Sequence, residues 1–244
     1  MYADDYFADG GAWVCGFWRG SYESNERKLR LEARAALEML PPTRGKLLEI
    51  GAAGGFFLDE ARAAGYDVTG IELNQTMAEW GKSVLGLDIK TGSFESVALA
   101  TGSFDVIVAQ DVLEHVREPR AFVARVAGLL APEGIFLVRG PLEQSCKDAF
   151  YLALRRLTGR PSGAMAHPPY HLQGFVRRSF RVLIEDAGLV LIRFEAHAAR
   201  PRIDPSSLKG IVAAFIELIA YQANRLTARG DFMIAYITRA ERSP

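Results

Sequence analysis

The chain has 244 residues, about half of them apolar, which is enough for one large α/β domain with a sizeable core and crowded for two complete domains. Its 29 basic and 29 acidic side chains cancel, which argues against a general nucleic-acid binder. The acidic start Met1-Tyr2-Ala3-Asp4-Asp5 lacks the basic-then-apolar order of a signal peptide, Cys15 and Cys146 fit no metal-ligand spacing, and the longest apolar run, 211–221, is broken by Glu217 and too short to span a bilayer. A cytoplasmic chain with reduced thiols and no membrane span is expected.

Residues 1–20 are rich in aromatics and glycine, among them Tyr2, Tyr6, Phe7, Trp13, Phe17 and Trp18. A helical pattern follows over about 21–40, with Leu29, Ala33, Ala36, Leu37 and Leu40 on one face, and Pro41-Pro42 stops it. This segment, 1–42, precedes a main domain over 43–244. Two readings of it stay open: a lid over a ligand, or a helix packed on a sheet edge.

Lys46-Leu47-Leu48-Glu49-Ile50 reads as a short buried strand, Gly51-Ala52-Ala53-Gly54-Gly55 as a small-residue turn, and Phe56 onward as a helix. A second strand, Asp67 to Ile71, delivers Glu72 at its end, twenty-one positions after Gly51. This is the βαβ unit in which a nucleoside-containing cofactor lies across the strand ends, the acid accepting two hydrogen bonds from a ribose diol. Residues without Cβ atoms let the turn bring its N–H groups against the ligand, and the helix start favours an anionic group there. Glu49, an acid at the end of an apolar strand, is costly to bury without a cation or donor nearby. It would repel a pyrophosphate and suit a ligand with an ammonium group.

Asn74 can cap a helix over about 75–85. A third strand, Asp88 to Thr91, ends in Gly92-Ser93-Phe94, and Ser103 to Gln110 is a fourth, almost continuously apolar as in a strand covered on both faces. Gln110-Asp111-Val112-Leu113-Glu114-His115-Val116 follows, and Pro119 opens a helix to about Leu130. Ala131-Pro132-Glu133-Gly134 reads as a turn into a fifth strand, Ile135 to Arg139. Beyond it come an insertion over about 142–175 with a short helix at 148–157, a helix over about 178–187 closed by Gly188, strands at 189–196 and 231–239, and between them an amphipathic helix. The stripe of that helix is Leu208, Ile211, Val212, Phe215, Ile219, Ala223 and Leu226.

Glu49-Ile50-Gly51-Ala52-Ala53-Gly54-Gly55, Glu72, and the Leu113-Glu114-His115-Val116 signature after strand four resemble the class I S-adenosylmethionine-dependent methyltransferases, closely over about 47–141 and by pattern over most of the rest. The first family motif reads acid-x-Gly-x-Gly-x-Gly, and Ala53 replaces its middle glycine. The resemblance implies a Rossmann-like, doubly wound α/β sheet of seven strands, mostly parallel with strand seven antiparallel, and helices on both faces. It implies S-adenosyl-L-methionine as cofactor, bound by Glu49, Gly51, Ala53, Gly55, Glu72, Leu73, Ser93, Phe94 and Gln110, with Leu73 and Phe94 flanking adenine. Many relatives carry Asp where Ser93 stands.

Methyl transfer needs a nucleophile placed in line with the donor's S–CH₃ bond and a base for its proton, and His115 and His171 are the catalytic candidates. For His115 a structural role, tying Asp111 or Glu114 to the backbone, stands beside the catalytic one. The reading adopted has no metal; its alternative is magnesium at Asp111, Glu114, His115 and His171, which resemble the ligands of some small-RNA and quinone O-methyltransferases of this class. Between Ala149 and Ile184 the chain has Arg155, Arg156, Arg160, Arg177, Arg178 and Arg181 and no acid. This suits a small anionic acceptor, nucleotide-, phosphate- or carrier-linked, or is a solvated basic face. O-methylation is the preferred reaction, because a histidine base is useful for a hydroxyl. A nucleotide-cofactor oxidoreductase and a non-catalytic S-adenosylmethionine-binding protein are the alternatives, and monomer and homodimer both stay open.

Overall fold

The apolar runs become seven strands: β1 (Lys46–Ile50), β2 (Asp67–Glu72), β3 (Ile89–Thr91), β4 (Phe104–Gln110), β5 (Leu130–Pro141), β6 (Leu189–His197) and β7 (Phe232–Arg239). They form one sheet in the order β3-β2-β1-β4-β5-β7-β6. β1 is parallel to both β2 and β4, β2 is parallel to β3, and β7 is antiparallel to β6. The strand order reverses between β1 and β4, which is where an open α/β sheet binds its ligands, at the carboxyl ends of the strands. Around the sheet are α1 (Glu26–Leu37), α2 (Phe56–Ala63), α3 (Gln75–Leu85), α4 (Pro119–Leu129), α5 (Cys146–Leu157), α6 (Arg177–Asp186) and α7 (Leu208–Thr227).

This computed structural model describes residues 25–40, 45–157, 171–198, 208–227 and 229–240. The aromatic segment 1–20, Pro41-Pro42, Arg160 and the Pro168-Pro169-Tyr170 loop lie outside them. The chain divides into two units, Met1–Ala109 with Ala124–Leu137, and Gln110–Val123 with Val138–Pro244.

In the first unit, β1 and β4 are buried because both are nearly uninterrupted Leu, Ile and Val, the composition of strands covered on two faces. α1 lies against α2 through charge as well as packing. Arg30 reaches Glu26 at 2.7 Å, Asp59 at 2.8 Å and Glu60 at 3.0 Å, and Arg34 reaches Glu60 at 2.8 Å. Leu29 joins an apolar cluster with Phe56, Met77 and Trp80. α3 starts as its sequence demands, with Asn74 Oδ1 accepting the Met77 amide at 2.9 Å.

The helix expected to run to about Leu40 ends at Leu37, the one expected from 148 starts at Cys146, and the start of β5 also differs from expectation. β5 begins at Leu130, not Ile135, so Ala131-Pro132-Glu133-Gly134 continues the strand instead of turning into it.

In the second unit β6 and β7 pair over their whole lengths, with a register shift at Leu191/Arg193. Phe180 of α6 contacts Phe175 and Phe194, ring centroids 6.1 and 6.0 Å apart. α7 and α5 are joined at Asn224, whose Oδ1 accepts the Cys146 amide at 2.7 Å.

Candidate active site

The turn after β1 is built from backbone conformations that ordinary side chains avoid. Gly51 has φ 76°, Gly55 φ 88° and Ala53 φ 47°. Gly55 is required twice over, by its φ and because a Cβ there would meet Leu87 Cδ1 at 2.5 Å. Ala53 sits in the left-handed region without being glycine, which costs about 1–2 kcal/mol. The family motif has a glycine at this place, and the left-handed backbone is the physical reason.

The turn's N–H groups correct an expectation. The amides of Gly51 and Ala52 both donate to the Ile71 carbonyl, at 2.9 and 3.0 Å, and that of Gly55 donates to Ala52 O at 2.8 Å. The Ala53 amide donates to Glu72 Oε2 at 2.7 Å. These four donors are spent on closing the turn over the end of β2 rather than offered to a ligand. Glu72 Oε1 accepts the Asn74 amide at 2.7 Å. The Glu72 side chain is thus fixed, and at 7% exposure burial pushes its carboxyl upward against the opposing pull of the Asn74, Ala53 and Leu73 amides. Glu49, also buried, pairs in register with Gly70 of β2 and Val108 of β4.

Among the residues expected around adenine, Leu73 is exposed at the end of β2, while Phe94 after β3 is only 5% exposed. The Arg125 guanidinium stands 5.0 Å from the Phe94 ring centroid, and its Nη2 donates to Val97 O at 2.5 Å. One face of Phe94 is therefore taken by a cation, a partner that the sequence did not point to. Ser93 Oγ is bound to Ser96 Oγ at 3.2 Å, and Gln110 closes β4, half-buried.

In the second unit, the expected histidines come together. Leu113–His115 forms a single 3₁₀ turn beyond β4, preceded by Asp111 at φ 53°, whose amide donates to Arg139 O at 2.9 Å. His171 lies edge-on to His115 with ring centroids 5.1 Å apart. Its position follows from the backbone, since the amides of Leu172 and Gln173 both donate to the Glu114 carbonyl, at 2.8 and 3.0 Å. Glu114 is 2% exposed and its Oε1 stands 3.9 Å from His115 Nε2. Burial, with the charge of Asp111 adding to it, pushes the Glu114 carboxyl up to about 8. Gly140 leaves it room, since a Cβ there would lie 3.3 Å from Glu114 Oε2.

Glu114, His115 and His171 each present a ligand atom within 4.8 Å of the others, and Asp111 is not part of that group. Two imidazoles and one carboxyl are a nitrogen-rich set for magnesium, which prefers oxygen ligands and keeps several waters of its own, and the steps proposed for this chain use its side chains alone. Of the six arginines in the acid-free stretch, Arg156, Arg177, Arg178 and Arg181 are exposed among the described residues, and Arg177 lies 5.1 Å from the Phe194 ring centroid. Two surface depressions in the first unit, about 500 and 220 Å³, are lined by Lys46, Asp67, Ser103 and their neighbours at the amino ends of the strands, away from the glycine turn.

Residues 22–193 match the family model described as a methyltransferase domain. The chain is 29% identical over 168 residues to a ubiquinone biosynthesis O-methyltransferase of Bartonella tribocorum, covering 64% of this chain and 68% of that protein. It is 34% identical over 123 residues to the enzyme of that name from Thiobacillus denitrificans, covering 46% of this chain and 50% of that protein. Several other relatives are spanned over less than half of their length. A solved S-adenosylmethionine-dependent methyltransferase of Archaeoglobus fulgidus shares the fold, with TM-score 0.58 and 15% identity over 88% of this chain and 94% of that one. With the family model covering more than half of the sequence, the chain belongs to the class I S-adenosylmethionine-dependent methyltransferases.

Proposed function

We propose that this protein transfers a methyl group to a hydroxyl oxygen of a small acceptor, and the close approach of His115 and His171 beside the buried Glu114 is the observation that carries the reading. Bound S-adenosylmethionine supplies an electrophilic methyl carbon on a sulfonium. In this reading Glu72 accepts hydrogen bonds from the ribose hydroxyls, Glu49 faces the ammonium group, Gly51, Ala53 and Gly55 shape the bend, and Leu73, Ser93, Phe94 and Gln110 border the adenosyl moiety. The C–S bond breaks with its electron pair left on sulfur, a C–O bond forms, and the hydroxyl proton passes to His115 or His171.

Placement of the acceptor supplies on the order of 7–11 kcal/mol in such reactions, and a positioned base about 10²–10⁴-fold. Support for oxygen comes from the two relatives, both named O-methyltransferases. The exposed Arg177, Arg178 and Arg181 on α6 suit an acceptor with a phosphate or carboxylate, whether nucleotide- or carrier-linked.

The test is release of S-adenosylhomocysteine with a panel of phenolic and phosphorylated hydroxyl acceptors. His115→Ala and His171→Ala should each lower kcat by about 10²–10⁴-fold, with calorimetric affinity for S-adenosylmethionine retained. Unchanged kcat in both variants, or a product methylated on nitrogen or carbon, overturns the reading.

A further inference from the structure

α7 presents an apolar stripe to solvent. Its seat is fixed by Asn224, which is buried, accepts the Cys146 amide at 2.7 Å and reaches Asp231 Oδ2 at 3.5 Å. Thr227 Oγ1 adds a contact with Cys146 Sγ at 3.6 Å. Phe215 lies nine positions before Asn224, about two and a half turns, and so on the opposite side of the helix. Leu218, Ile219, Gln222 and Leu226 share that outer side, and no charge interrupts it. Phe215 is 64% exposed, Ile219 56% and Leu226 87%. Leu157, at the end of α5, is 85% exposed.

Basic residues stand on or next in sequence to the two helices. Arg225 is on α7, its guanidinium 6.0 Å from the Tyr221 ring centroid, and Arg156 and Arg229 are exposed, on α5 and just after α7 in sequence. Glu217, the acid of α7, is seven positions before Asn224, nearly two full turns, and therefore on the seated side. In sequence, α5 and α7 together hold five Lys or Arg (Lys147, Arg155, Arg156, Lys209 and Arg225) against two acids, Asp148 and Glu217. Neither helix is long and apolar enough to cross a bilayer.

We propose that α7, with the end of α5, docks the protein on an anionic lipid surface, the stripe entering the headgroup boundary and the arginines pairing with lipid phosphates. Large apolar side chains on one face with basic residues at its edge are the pattern of a helix that lies in a membrane interface. Charge complementarity selects the bilayer as occupant over a second copy of the chain, because the same basic residues would meet across a twofold axis.

The experiment is flotation of the purified full-length protein with vesicles of phosphatidylcholine alone and with vesicles that also contain phosphatidylglycerol. Binding is expected to the second only, weakening as salt is raised. Arg156→Glu and Arg225→Glu should each weaken it by about fivefold or more, and Phe215→Asp with Ile219→Asp should abolish it. All variants should keep the wild-type melting temperature, because every substituted side chain points to solvent. The solvent-exposed arginine variants test the idea independently of any folding defect in the apolar pair. Absence of binding to either vesicle, binding that the arginine variants leave unchanged, or a dimer by light scattering that Phe215→Asp disperses while wild type ignores vesicles, overturns it.

Discussion

Glu72 Oε2 accepts the Ala53 amide at 2.7 Å, so the acid at the end of β2 holds the bend that follows β1 as well as standing at the expected ribose position. Glu72→Ala therefore has two effects. Losing a charged acceptor should weaken S-adenosylmethionine binding by about 10–100-fold, and leaving the Ala53 and Asn74 amides without a partner costs about 1–3 kcal/mol each. Calorimetric titration and thermal unfolding read the two separately. Wild-type affinity in a folded variant would remove Glu72 from the cofactor site.

Ala53 is held at φ 47°. Ala53→Gly relieves about 1–2 kcal/mol of backbone strain and gives back about 0.4–1 kcal/mol in unfolded-chain entropy, so its melting temperature should match the wild type or rise by a few degrees. Ala53→Val puts a β-branched residue where it is a genuine outlier and should lower the melting temperature clearly. Equal melting temperatures for glycine and valine would show that the bend relaxes freely.

Glu114, pushed up to about 8 by burial with Asp111 adding, gives a pH signature. In the unfolded chain the group titrates at an ordinary carboxylate value, so above about pH 4.5 the unfolded state sheds a proton that the folded state keeps until about pH 8. Its contribution to stability falls as pH rises through that window and is flat on either side. Glu114→Gln removes the slope, so its melting temperature should exceed wild type at pH 8–9, with the gap closing toward pH 4.5. A constant gap across this range would mean that Glu114 is ionised throughout.

Arg177 and Arg178 start α6 on its exposed side. Reversing both to Glu should raise the acceptor KM, by about tenfold if one charge-assisted contact is lost, while affinity for S-adenosylmethionine stays as it was. Unchanged kinetics would leave these arginines as a solvated face.

The strand–turn–helix–strand core was legible because each part has a local signature: β1 and β4 are mostly apolar runs, the turn is all small residues, and Asn74 announces α3. β5 was not, because Pro132 and Gly134 are turn residues by composition and only pairing in the sheet overrides them. The donors of the glycine bend were misjudged for the same reason. Which acceptor they meet depends on Ile71 and Glu72 about twenty residues on. His115 and His171 could be named from residue type, but their meeting rests on the Leu172 and Gln173 amides reaching Glu114, a long-range contact with no trace in spacing. Arg125 beside Phe94 gave one faint sign, a cation in the middle of a mostly apolar helix whose other arginine, Arg120, stands at its start.

The welding of α1 to α2 decides how far the chain can be trimmed. A version starting at Lys46 would lose Arg30 and Arg34, taking from Glu60 both of these cations and leaving Asp59 with Arg62, and would strip Leu29 from Phe56 and Met77. Such a shortened protein should be sticky and prone to precipitate, so preparations intended for crystals or titrations need to keep residues from Glu26 onward.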